Sequence, residues 1–227
     1  MPRCAPLFAI ISLASAAALA RSEERQVAEF NAVRIAAGIH ATVEIGPRKP
    51  ILIEADDEIL SLVETRVEDG ALHVGFKPHS QWSGEHRVTV TIQTPQLRAI
   101  GASGGSLVRA TFTRADDCGI EASGGSEVRA RGVDATRLSL RGSGGSVLDV
   151  AGRADILELV MSGGTQLHGR DLSVKDVEIR ASGGSEGELR ANGRIRGSLS
   201  GGSELHVRGG ARTRVATSGG SSLAVED

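Results

Sequence analysis

Residues 100–150 read IGASGGSLVRATFTRADDCGIEASGGSEVRARGVDATRLSLRGSGGSVLDV, with the tetrad Ser-Gly-Gly-Ser beginning at Ser103, Ser123 and Ser143. Four further copies begin at Ser162, Ser182, Ser200 and Ser218, the first of them ending in Thr165. Successive tetrads are 20, 20, 19, 20, 18 and 18 residues apart, and they hold 14 of the 30 glycines. The glycine excess is therefore positional, which separates it from a flexible Gly/Ser linker. A fixed period of this size is the mark of a repeat architecture.

The flanks of each tetrad alternate. Three residues before it stand Ile100, Ile120, Leu140, Leu159, Ile179, Gly197 and Val215, and five residues after its first serine stand Val108, Val128, Leu148, Leu167, Gly187, Leu205 and Leu223. The positions between are mostly polar or charged. Period-two alternation on both sides of a turn predicts two short half-buried strands per repeat. A stack of hairpins would give the same local pattern, but an identical corner every 20 residues or so suits a winding better. The predicted fold is all-β: a right-handed parallel β-helix, or solenoid, with one coil per repeat.

Two consecutive glycines let the chain take positive φ at a corner and let coils stack closely. The fourth residue of each tetrad has inward parity. Ser106, Ser126, Ser146, Thr165, Ser185, Ser203 and Ser221 should thus line up inside the corner, each hydroxyl bonding the corner backbone or its counterpart one coil away.

The 227 residues carry 26 basic and 28 acidic groups, a net charge of -2, with 2% aromatics and no tyrosine. That balance argues against a nucleic-acid partner, and the shortage of aromatics against an aromatic sugar platform. Residues 1–20 have a basic start, an apolar run and a small-residue ending, Ala18-Leu19-Ala20, and read as a secretory signal peptide. The remainder holds a single cysteine, Cys118, and no apolar run of membrane-spanning length. The expected division is residues 1–20 signal peptide, residues 21–96 an N-terminal β cap with the first coils, and residues 97–227 the tetrad solenoid. Within the cap, segments such as Ala41–Ile45, Ile51–Ala55 and Val88–Ile92 read as strands with turns at Gly46-Pro47, Asp69-Gly70 and Pro78; Ile59–Val63 is open between helix and strand. Glu226-Asp227 would guard the far end with charge.

Over about residues 29–223 the chain resembles the auto-transporter adhesin head GIN domain family (DUF2807). The likeness rests on Phe30-x-x-Val33-x-Ile35, Ile51-x-Ile53-x-Ala55-Asp56-Asp57, Val67-Glu68-Asp69-Gly70-x-Leu72 and the iterated tetrads. It implies a secreted or envelope-associated β-helical bacterial protein without an established activity. No translocator barrel is expected after the repeats.

Chemistry is sparse. Seven equivalent serines are read as structural, because a nucleophile needs one special site. No Lys and helix follow the glycines, as a phosphate loop requires, and no Asp follows them in the calcium-repeat register. His168, Glu188 and His206 share an outward column on successive coils and are the weak candidates for metal ligands. Their expected spacing, about 9–10 Å between the two histidines, favours a solvated polar face. Arg129 with Asp149, Glu121 with Arg141 and Glu178 with Arg196 are expected cross-coil ion pairs. The carboxylate doublets Asp56-Asp57 and Asp116-Asp117 point to opposite faces if on strands, which suits acid–base catalysis poorly.

The expected function is non-enzymatic: an exported solenoid, periplasmic, outer-envelope or extracellular, that binds an envelope or surface partner (protein or glycan) or serves as scaffold, with no cofactor. The expected surface is the outer side of the corners, Ser103, Ser123, Ser143, Ser162, Ser182, Ser200 and Ser218, with Trp82 as a contact anchor or a plug of the cap. The alternatives are a polysaccharide-acting enzyme and a structural protein that stacks end to end.

Overall fold

One repeat has an apolar face that it cannot cover alone; a neighbouring repeat covers it. A computed structural model, which describes residues 21–81 and 86–226, shows how. The proposed signal peptide and Trp82 lie outside the described residues. The strands are β1 (Arg21–Arg25), β2 (Ala32–Ile35), β3 (His40–Ile45), β4 (Ile51–Ala55), β5 (Val63–Glu68), β6 (Ala71–Phe76), β7 (Thr89–Thr94), β8 (Ala99–Ala102) and β9 (Leu107–Thr111). They continue as β10 (Ala115–Ala122), β11 (Glu127–Gly142), β12 (Val147–Met161), β13 (Gln166–Ala181), β14 (Glu186–Ala191), β15 (Arg194–Leu199), β16 (Glu204–Arg208), β17 (Arg212–Thr217) and β18 (Ser222–Glu226). One short helix, α1 (Asp57–Leu60), lies between β4 and β5.

Two parallel ladders run the length of the solenoid. The first is β6–β2–β8–β10–β11–β12–β13–β15–β17. The second is β7–β3–β9–β11–β12–β13–β14–β16–β18. The long strands β11, β12 and β13 serve both, and the register shifts between Ala130 and Val133, where β11 passes from one ladder to the other. Parallel pairing throughout the tetrad region excludes the hairpin stack. The inward columns stack in register: Ile100 on Ile120, Ile120 on Leu140, Leu140 on Leu159, Leu159 on Ile179, all buried.

Each tetrad turns the chain from the first ladder to the second. Both of its glycines have positive φ, for example 71° and 73° at Gly183 and Gly184, as a type I′ turn demands. The buried hydroxyl donates back to its own corner: Ser106 Oγ to the Ser103 carbonyl at 2.7 Å, and Ser203 Oγ to the Ser200 carbonyl at 2.8 Å. Of the two expected bonding schemes, corner backbone holds and hydroxyl-to-hydroxyl does not. The reason is reach: a carbonyl three residues back lies within the same turn. Some hydroxyls also reach the coil before, as Ser126 Oγ does to the Ala102 carbonyl at 2.9 Å. These bonds let a polar group sit in the core without an unmet hydrogen bond.

The two glycines are not equivalent. A Cβ on Gly183 would stand 2.9 Å from the backbone nitrogen of Gly163 on the previous corner, whereas a Cβ on Gly184 would meet nothing within 4 Å. Gly184→Ala thus carries only the positive-φ cost, about 1–2 kcal/mol, and Gly183→Ala adds a backbone collision. Urea unfolding should rank Gly183→Ala clearly below Gly184→Ala in stability. Equal midpoints would refute the stacked-corner account.

An eighth corner carries no tetrad. Ala36-Ala37-Gly38-Ile39 joins β2 to β3, with φ of 63° at Ala37 and 75° at Gly38. Ala37 stands where later coils have their first glycine, since a Cβ on Gly104 would lie 3.3 Å from the Ala37 nitrogen. Alanine is tolerated because, among the described residues, no corner is stacked on its other side, where β6 and β7 lie.

After β1, the strands β2 and β3 form an inner rung. The chain leaves through β4, α1, β5, β6 and β7 to build the layer beyond, then returns at β8 on the opposite side of β2. In that outer layer β4 pairs antiparallel with both β7 and β1, and Arg25 of β1 donates to the carbonyls of Val63 (2.7 Å) and Leu60 (3.1 Å). β5 and β6 form an antiparallel hairpin with Asp69 and Gly70 at the turn, φ 51° and 73°. At the other end Val215 and Leu223 are half-buried and Val225 is 38% exposed, so burial falls away on the last rung. Glu226 there pairs with Arg208 at 3.9 Å, and Asp227 lies outside the described residues.

Candidate functional site

Outward side chains on adjacent rungs sit about 4.8 Å apart, close enough for ion pairs from coil to coil. Those observed are Arg131–Asp149 (2.7 Å), Arg153–Asp134 (2.8 Å), Arg170–Glu188 (2.6 Å) and Arg194–Asp176 (3.2 Å), among others. The guanidinium of Arg153 holds the Asp134 carboxyl below its ordinary range, and that of Arg194 does the same for Asp176. The expected pairs have the right register but different partners. Arg129 lies beside Asp149 yet pairs with Glu127, and Glu178 lies beside Arg196 yet pairs with Arg180. Glu121 and Arg141 are neighbours that form no ion pair with each other. A long guanidinium can choose a carboxylate along its own strand as easily as one across the ladder.

The proposed metal column is in register, His168 beside Glu188 and Glu188 beside His206. The Glu188 carboxylate, however, is engaged by Arg170. Among the described residues no three His, Cys, Asp or Glu side chains converge as a metal site would require. The carboxylate doublets have separate partners: Asp56 Oδ2 accepts from His86 Nδ1 at 3.0 Å beside α1, Asp57 pairs with Arg21, and Asp117 with Arg137. Cys118 faces the interior, where burial pushes its thiol pKa up.

The corner serines form a line along one edge of the solenoid. Ser143 and Ser218 are exposed, and Ser103, Ser123, Ser162, Ser182 and Ser200 are half-buried. Of these, Ser103 and Ser123 border a larger recess. The β5–β6 hairpin continues the first ladder beyond β2, and a recess of about 590 Å³ lies across these rungs, lined by Arg34, His73, Phe76, Ser103, Glu121 and Ser123 among others. A second recess of about 450 Å³ continues it and shares Arg34, His73, Gly101 and Glu121. Arg34 and Glu121 are exposed and make no ion pair among the described residues.

The floor is low because Gly101 and Gly119 occupy outward positions. Neither has positive φ, and a Cβ would meet its nearest neighbour only at 3.4 Å and 3.6 Å respectively. The fold itself does not require glycine there, and strand glycines of this kind mark close approach by something else. Sequence reasoning passed over this recess because the hairpin wall comes from residues far from the tetrads; the signal was glycine at two outward strand positions.

A capped solenoid of parallel coils with glycine corners defines the class of this protein. The chain belongs to the family described as "Putative auto-transporter adhesin, head GIN domain", whose model matches residues 29–211. Solved structures share the fold. A "putative adhesin" from Bacteroides fragilis NCTC 9343 aligns with TM-score 0.78 at 20% identity, over 91% of this chain and 96% of its own. A "putative lipid binding protein" from Parabacteroides distasonis ATCC 8503 aligns with TM-score 0.73 at 13% identity, over 92% and 96%. A "putative adhesin" from Parabacteroides merdae ATCC 43184 gives 0.69 at 17% identity, over 92% and 96%. No protein of curated function matches the chain. Among the described residues no helix is long and apolar enough to cross a membrane.

Proposed function

We propose that the protein is an exported, non-enzymatic binding module of the cell envelope, which grips a surface protein or glycan in the recess between the β5–β6 hairpin and the first corners. The observation that carries this is the glycine floor, Gly101 and Gly119, kept free of side chains without internal need. Around it stand donors and acceptors in reach of a polar ligand: Arg34, His73, Glu121, and the corner residues Ser103 and Ser123. The remaining corner serines extend the same edge and would lengthen the contact. The family's adhesin description agrees with a binding role.

Gly101→Phe tests this, because Gly101 lines both recesses. Its φ is ordinary and its Cβ would meet nothing nearer than Arg34 Cγ at 3.4 Å, so the variant should melt like the parent while filling the recess. Binding of labelled protein to isolated bacterial envelopes should fall by about fivefold or more, roughly 1 kcal/mol. Unchanged binding would remove the recess as the site. Release of reducing ends from envelope polysaccharide by the parent would favour the enzyme reading instead.

A further inference from the structure

The strands β15 and β17 place Arg194 beside Arg212 and Arg196 beside Arg214, all four exposed. Along each strand the two arginines are separated by about 7 Å, and across the ladder by about 4.8 Å. Only Arg194 has an ion pair; Arg196, Arg212 and Arg214 have none among the described residues. Like charges directly opposite one another destabilise a sheet, and within this square only Arg194 is compensated, by Asp176. The square also runs against the net charge of the chain, -2.

The contrast with the rest of the same face is sharp. On the preceding rungs each arginine has acids nearby, as Arg137 has Asp117 and Glu158, and Arg180 has Glu178. On β15 and β17 the outward positions hold four arginines, Ser198 and Ala216, with no acid; Asp176 and Glu178 of β13 lie beside Arg194 and Arg196, whereas Arg212 and Arg214 have only arginines across the ladder. Guanidinium groups bind carboxylate, sulfate or phosphate oxygens in bidentate fashion. From the geometry we infer that this square is a binding site for a linear acidic polysaccharide, whose successive anionic groups lie along the two strands.

A chain fits better than a bilayer. The square is two strands wide, and a flat anionic membrane laid on it would also press on Asp117, Glu158 and Glu178 of the same face. No aromatic or large apolar side chain stands among the arginines to enter lipid. The site is on the rungs remote from the recess and is independent of it.

The probes are fluorescein-labelled polygalacturonate and labelled neutral dextran, read by anisotropy at low salt, with phosphatidylglycerol-containing vesicles read by co-sedimentation. Polygalacturonate should bind and dextran should not. The double variant Arg196→Gln/Arg214→Gln should weaken polygalacturonate binding by about tenfold or more, and Arg137→Gln/Arg141→Gln by less than about threefold. The first variant should melt no lower than the parent, since it relieves a like-charge contact. Equal losses in both variants, a marked fall in melting temperature of the first, or capture by vesicles without binding to polygalacturonate would each overturn the assignment.

Discussion

Gly197→Ala is expected to cost more than about 3 kcal/mol, among the largest effects of any single methyl added to this chain. A Cβ at this position would stand 1.8 Å from the Ile179 carbonyl oxygen, and φ is +136°. Nothing in that contact is flexible: the oxygen belongs to the neighbouring rung, opposite Gly197 in the first ladder. To make room, β15 must move away from β13, which would break the ladder on which β17 in turn rests. Coils hold only their neighbours, so the damage should stay local. Amide hydrogen exchange should show β15 to β18 opened while β8 to β12 remain protected. A variant with parent-like exchange and melting would disprove the close approach.

The second large effect is Leu140→Ala. Leu140 is fully buried and stacked between Ile120 and Leu159. Removing such a side chain from a packed interior costs about 3–5 kcal/mol, because the lost contacts are compounded by a cavity that the rungs cannot close. Leu223, the last inward leucine of the second ladder, is half-buried on the last rung, and Leu223→Ala should cost only about 1 kcal/mol. Urea midpoints compared between the two variants test the gradient of burial. Equal losses would mean that the last rung is covered as well as the middle ones.

The tetrads were legible because each residue in them has a single physical duty: two glycines for positive φ and one hydroxyl for the inner carbonyl. The alternating columns were legible for the same reason, and Ile120, Leu138 and Leu148 are all buried where parity placed them. The coil formed by β2 and β3 could not be located within residues 21–96 from the sequence, because its corner, Ala36 to Ile39, has only one glycine and no serine. Its freedom to differ comes from having no corner on its outer side, which no local pattern reveals. The recess depends on a hairpin that joins the ladder on one side of β2, while the chain reaches β8 and β10 only later, on the other side. The arginine square was present in the sequence as Arg194-x-Arg196 and Arg212-x-Arg214, 18 residues apart. It becomes visible once attention shifts from the inward columns to like charges that share an outward one.

The parallel register makes the tetrad coil an interchangeable length unit. Inserting one whole coil in the middle would leave the hairpin recess and the arginine square each intact, and would separate them by about another 4.8 Å. The solenoid is in this sense a ruler: the number of repeats, rather than any one residue, sets how far apart two contacts on a long ligand can be held.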